Sequence, residues 1–139
     1  MTTTRPQVAE GPAPAHVSLV GYQKSVQPLE VVVKELREEL GAPLVAFIAG
    51  VKETRAVHEW AEGGREVRGH DREQRLRIAL RVAVTLRAKD SPAVVQAWFQ
   101  GLNPKLADHS PARLLREADD VEEVGRQVLN AAQAFSAVG

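Results

Sequence analysis

From Leu29 onward the apolar positions recur every three to four residues. Leu29, Val32, Val33, Leu36 and Leu40 fall on one face of a helix, while Glu30, Lys34, Glu35, Arg37 and Glu38 fall elsewhere, and Gly41 ends the pattern. Ala42 and Pro43 open a short apolar segment, Leu44 to Ala49, stopped by Gly50. The helical spacing resumes over Glu53 to Glu62, where Val57 and Trp60 share a side, and stops at Gly63-Gly64. A longer helix is expected from about Asp71 to Ala88, with Asp71 as N-cap and Leu76, Ala79, Leu80, Ala83 and Val84 as its buried stripe. Ser91-Pro92 and Ser110-Pro111 each set a capping serine before a proline at the first helical position, where the missing N–H costs nothing. They predict short helices near 92–100 and 111–117. Asp120 with Glu123 makes a start like a capping box, and Val121, Val124, Val128, Ala132 and Phe135 form the inward face of a last helix.

Residues 1–28 lack this rhythm. They hold four of the eight prolines, a Thr run and little apolar periodicity, so they bury too little surface to offset the entropy of ordering. The segment is expected to be a flexible N-terminal arm, within which Val17 to Tyr22 could lie as an extended strand on a neighbour. Sustained strand alternation and internal repeats are both absent. The predicted fold is all-α: a helical lobe over 29–90 that ends in a long basic helix, then a small helical lobe over 91–139.

Composition narrows the class. With 139 residues, 44% of them hydrophobic, the chain can form one compact unit or two small lobes, and a large multidomain enzyme is excluded. The absence of cysteine removes disulfides, thiolate zinc sites and thiol nucleophiles, and points to a reducing cytoplasm. No stretch approaches the roughly 18 apolar residues of a membrane span, and the first 30 residues lack the apolar core of a signal peptide, so a cytoplasmic protein without a membrane partner is expected. Eighteen basic residues balance eighteen acidic ones, but residues 61–90 carry +3. There Arg65, Arg68, Arg72, Arg75, Arg77, Arg81, Arg87 and Lys89 face five acids, and arginine suits phosphate and carboxylate recognition. A solvated helix face accounts for the same charges.

Catalysis is not expected, because none of the nucleophile-elbow, metalloprotease, phosphate-loop or dinucleotide glycine motifs occurs. His16, His58, His70 and His109 lie in separate elements without the i, i+4 spacing of a metal pair, so no metal or cofactor is expected. Asp119, Asp120, Glu122 and Glu123 gather where a helix N-terminus favours acids. Ala46-x-x-x-Gly50-Val51, followed by a helix bearing Val57 and Trp60, fits a helix-turn-helix: a small residue for close approach, glycine for the turn, and apolar residues packing backward. Val57 and Trp60 fall one residue later than in the commonest version, which implies a longer turn, and a plain helical hairpin explains the same glycines. If the element binds DNA, Thr54, Arg55 and His58 lie nearest base edges, and Arg65, Arg68 and Arg72 lie nearest phosphates. Glu59 shares the outward face; it would repel phosphate, although a carboxylate can accept from a cytosine amino group.

The order Ala97-Trp98-Phe99-Gln100-Gly101-Leu102-Asn103-Pro104-Lys105-Leu106, then Ser110-Pro111-Ala112-Arg113-Leu114-Leu115, then an amphipathic helix to Phe135, resembles the toxin-binding domain of the Xre/MbcA/ParS antitoxins. Val57-x-x-Trp60-x-x-Gly63 is similar to the end of the second helix of that family's Xre-type helix-turn-helix. The resemblance spans about residues 29–136, with Glu59 standing where the family is often basic. It implies an antitoxin that neutralises a RES-domain, NAD-consuming toxin, represses its own operon at operator DNA, and forms a homodimer or a larger complex with the toxin. In that setting the 91–139 segment is the toxin-binding half. Arg126, Asn130, Gln133 and the tail from Ser136 to Gly139 are expected to face the partner, joined by Arg113 and Arg116, since arginine is enriched where interfaces carry energy. Trp60 and Trp98 are expected to anchor separate lobes. A stand-alone helix-turn-helix regulator without a toxin partner, and a structural adaptor that no longer touches DNA, are the competing readings.

Overall fold

The computed structural model describes residues 12–138, with the side chains of 19–138. Those residues form eight α-helices: α1 (Pro12–Ser25), α2 (Leu29–Leu40), α3 (Ala42–Ala49), α4 (Thr54–Ala61), α5 (His70–Arg87), α6 (Pro92–Gln100), α7 (Pro111–Glu117) and α8 (Val121–Val138). One 3₁₀ turn, Pro104–Leu106, lies between α6 and α7. The chain is all-helical, and its only extended pairing among the described residues is a single bridge between Asn103 and His109.

Local chemistry sets most boundaries. Gly50 ends α3 in the left-handed region at φ 85°, which a residue with a Cβ enters at a cost, and its N–H returns to the Ala46 carbonyl at 3.0 Å. Ser91 Oγ accepts from the Val94 N–H at 3.3 Å, and Ser110 Oγ from the Arg113 N–H at 3.2 Å, so both serine-proline starts cap their helices. Asp120 accepts from the Glu123 N–H at 3.1 Å. The Glu123 carboxylate turns forward to Arg126 and Gln127, which leaves only half of a capping box. The cap of α5 is Gly69, not Asp71: the Glu73 N–H bonds the Gly69 carbonyl at 3.0 Å, and Asp71 sits in the first turn, where the helix dipole favours an acid.

α5 is the common wall of the molecule, packed against α1, α2, α3, α6 and α8. Leu76, Ala79, Leu80 and Ala83 are fully buried in it, and the same continuous core takes in Leu36, Val45, Ile48 and Trp60 from before α5 and Phe99, Leu115 and Val128 from after it. α8 approaches α5 closely at Gly125, where a Cβ would stand 2.4 Å from Ile78 Cδ1.

Three further expectations are corrected. Residues 12–25 are helical, so the arm and the Val17–Tyr22 strand are replaced by α1, while residues 1–11 lie outside the described residues. Pro12 and Pro14 fall in the first turn, where no N–H donor is required. Tertiary contacts then hold the helix to α5 and α2: Arg81 lies over the Tyr22 ring at 5.6 Å, Lys24 pairs with Glu35 at 2.9 Å, and Arg77 donates to the Ser25 carbonyl at 2.9 Å. Phe135 is 41% exposed rather than inward; it lies near the end of α8, with the Trp98 ring 6.4 Å away between ring centres. Trp98 is itself half-buried, so Phe99 rather than Trp98 anchors this part of the core.

No described helix is long and apolar enough to cross a membrane.

Candidate functional site

α3 and α4 meet through the turn at Gly50–Glu53. Val45, Ile48 and Ala49 of α3 and Ala56, Val57 and Trp60 of α4 are buried, which fixes the outer side of α4. On that side Arg55 and His58 are exposed, and Thr54 at the start of the helix is half-buried. His58 Nδ1 lies 3.0 Å from Arg37 Nη1. A guanidinium can only donate, so Nδ1 accepts and the ring proton sits on Nε2.

Glu59 organises the surface beside them. Its carboxylate accepts from Arg55 Nε at 3.1 Å through one oxygen and from Arg65 Nη1 at 3.2 Å through the other. Those hydrogen bonds, first from Arg55 and then from Arg65, hold its pKa below the ordinary glutamate range. The three side chains line an open depression of about 370 Å³ together with Val51, Lys52 and Glu53.

The remaining two arginines of the expected phosphate set diverge. Arg68 is exposed on the connector between α4 and α5. Arg72 Nε donates to the Ala49 carbonyl at 2.9 Å, and Arg75 Nη1 approaches the same oxygen at 3.4 Å. Arg72 therefore satisfies the open carbonyl end of α3, where a cation also complements the helix dipole. The structure thus brings Arg55 and Arg65 together, leaves Arg68 apart in solvent, and turns Arg72 toward α3. The link through Glu59 was half visible in the sequence, as the i, i+4 spacing of Arg55 and Glu59. Nothing in the spacing marked Arg65 as the second partner.

The C-terminal candidates divide in the same way. Arg126, Asn130 and Gln133 are exposed along one side of α8, with Arg126 paired to Glu123. Arg113 is exposed and paired with Glu117 at 3.0 Å. Arg116 instead donates to the Phe47 carbonyl at 2.7 Å, with its guanidinium 4.7 Å from the centre of the Phe47 ring, and so ties α7 to α3. Ser136 Oγ donates to the Thr85 carbonyl at 3.3 Å, and the Ser136 carbonyl accepts from Lys89 Nζ at 2.6 Å, which ties the end of α8 to α5. Gly139 lies outside the described residues. In the same C-terminal half Leu102 is 76% exposed, and Val94 and Phe135 are exposed as well.

No group of three or more metal-ligating side chains forms among the described residues. His109 Nδ1 lies 3.1 Å from the Leu106 carbonyl, a local bond within the loop before α7. No family model, curated protein or solved structure matches this chain.

Proposed function

We propose that the protein is a non-catalytic antitoxin that uses α3, the turn and α4 as a helix-turn-helix to bind operator DNA, and its C-terminal helices to hold a RES-domain toxin. The observation that carries the DNA half is the division of α4. Its inner face is buried through Val57 and Trp60, while Arg55 and His58 stand exposed on the outer side, and Arg65 of the following connector joins Arg55 around Glu59. A short helix presented this way suits the major groove, with the solvent-exposed Arg55, Arg65 and Arg68 near enough to meet phosphates. The toxin half is supported by the order of the Trp98-Phe99, Asn103-Pro104 and Leu114-Leu115 elements. Among the residues expected to face the toxin, the exposed Arg113, Arg126, Asn130 and Gln133 are the ones this reading assigns to the contact. The protein acts in the cytoplasm as a homodimer or within a larger complex with the toxin.

The experiment is co-expression with the product of the neighbouring gene, followed by co-purification and by DNA binding of the complex across a salt titration. A toxin that co-purifies and is neutralised supports the proposal. Replacing Arg65 and Arg68 with alanine should weaken binding to all duplexes alike and flatten the salt slope by up to about two units, since each phosphate contact contributes roughly one. Arg116 and Ser136 are engaged within the fold, an observation that favours the stand-alone regulator as the second reading. That reading requires DNA binding with no co-purifying partner.

A further inference from the structure

We infer that Arg55 and Arg65 form a phosphodiester-binding site in which the carboxylate of Glu59 occupies the place of the phosphate. The inference rests on the DNA-binding reading above and adds a competitor to it. One carboxylate receives the two guanidiniums on separate oxygens, at 3.1 and 3.2 Å. The two unesterified oxygens of a backbone phosphate present the same pair of charged acceptors to the same donors. The Glu59 side chain is 34% accessible, against 81% for Arg55 and 55% for Arg65, so both arginines are more open to an arriving anion than the acid that holds them. Lys52, exposed on the rim of the depression, adds a third cation to its wall.

The mounting of the three groups explains how an exchange proceeds. Arg55 and Glu59 project from one helix whose buried face fixes it, whereas Arg65 follows Gly63-Gly64 on the connector. An arriving phosphate therefore meets a half-site already set on one helix and draws Arg65 across from Glu59. The carboxylate lies beside the bound phosphate and opposes it, so Glu59 lowers the affinity for every duplex and leaves base contacts to decide which duplex stays bound. Glu59 thereby acts as a selectivity residue at this site.

The test compares the parent with Glu59→Gln and Glu122→Gln, using anisotropy of a labelled duplex of random sequence over a salt series, with far-ultraviolet circular dichroism as the folding control. Glu122 is an exposed acid on α8, and its replacement removes the same charge away from the site. Glu59→Gln is expected to bind about three- to tenfold more tightly, with a salt slope steeper by about one unit, while Glu122→Gln binds as the parent does. In the Glu59→Gln background, replacing Arg55 and Arg65 with alanine should abolish the gain. Equal or weaker binding by Glu59→Gln overturns the inference and leaves the DNA-binding reading standing. Equal gains in Glu59→Gln and Glu122→Gln also overturn it, since net charge would then be the cause. Absence of binding by every form at low salt removes both readings together.

Discussion

Replacing Gly125 with alanine places a methyl group into the closest approach between α5 and α8. The new Cβ would stand 2.4 Å from Ile78 Cδ1, 3.2 Å from Cγ1 and 3.3 Å from Cγ2. Rotation of the Ile78 side chain can clear Cδ1 at an off-rotamer cost of about 1 kcal/mol. The two γ carbons are attached directly to Cβ, and both cannot withdraw unless a helix moves. Overpacking of this kind costs about 2–3 kcal/mol in total, while alanine regains about 1 kcal/mol of helix propensity over glycine. The expected net change is a loss of about 1–2 kcal/mol. In an Ile78→Ala background all three opposing atoms are gone, so the same Gly125→Ala change should stabilise by up to about 1 kcal/mol. The sign reversal corresponds to a coupling of about 2–3 kcal/mol in a double-mutant cycle. Urea unfolding of the four proteins, followed by far-ultraviolet circular dichroism, measures it. An identical cost of Gly125→Ala in both backgrounds would show that α8 does not rest on Ile78, and the packing argument would fail.

The two tryptophans should separate in their energetic weight. Trp60→Ala should cost about 3–5 kcal/mol, since Trp60 is only 2% exposed, whereas Trp60→Phe should cost much less because the buried Nε1 has no hydrogen-bond partner to lose. Half-buried Trp98→Ala should cost about 1–2 kcal/mol, which the order of urea midpoints will check. Stability should also fall in acid. Glu59 and Glu123 have pKa values lowered on folding by hydrogen bonds, from Arg55 and then Arg65 in the first case and from Arg126 and then Gln127 in the second. A depressed value makes their contribution present above the ordinary glutamate value of 4.5 and lost as pH falls through the folded value. Unfolding midpoints should thus hold from neutrality to about pH 5 and decline below the ordinary range, with a shallower decline in a Glu59→Gln, Glu123→Gln double variant. An equally steep decline in that variant would assign the acid sensitivity to other carboxylates.

Elements whose punctuation is local were legible in the sequence. Ser91-Pro92 and Ser110-Pro111 placed the starts of α6 and α7 at the residues where they begin, and Gly41 and Gly50 closed α2 and α3, because caps and left-handed turns depend on neighbours along the chain. α1 was illegible for the opposite reason. Its apolar residues do not gather on one face, and what stabilises it is α5, reached through Arg77 and Arg81 about fifty residues later. The inward placement of Phe135 failed for a related cause: periodicity gives the face of a helix but not the point where the opposing wall runs out. At the site, burial of Val57 and Trp60 predicted which side of α4 is free. The destinations of the arginines depended on acceptors distant in sequence, such as the Ala49 carbonyl for Arg72, and side-chain types alone do not name those.

The position of α5 as a wall shared by helices from both ends of the chain has a consequence for how the molecule comes apart. Releasing α8 uncovers the flank of α5 around Ile78, and releasing α1 or α2 uncovers the other flanks, so no small opening sets the amides of α5 free. The hydrogen exchange of the amides along its buried centre, Leu76 to Leu86, is expected to pass through complete unfolding. α4, which presents its whole outer side to water and is only eight residues long, can open at lower cost. The chain therefore joins a slow-exchanging axle to a fast-exchanging rim, and the rim is where Arg55 and Glu59 lie.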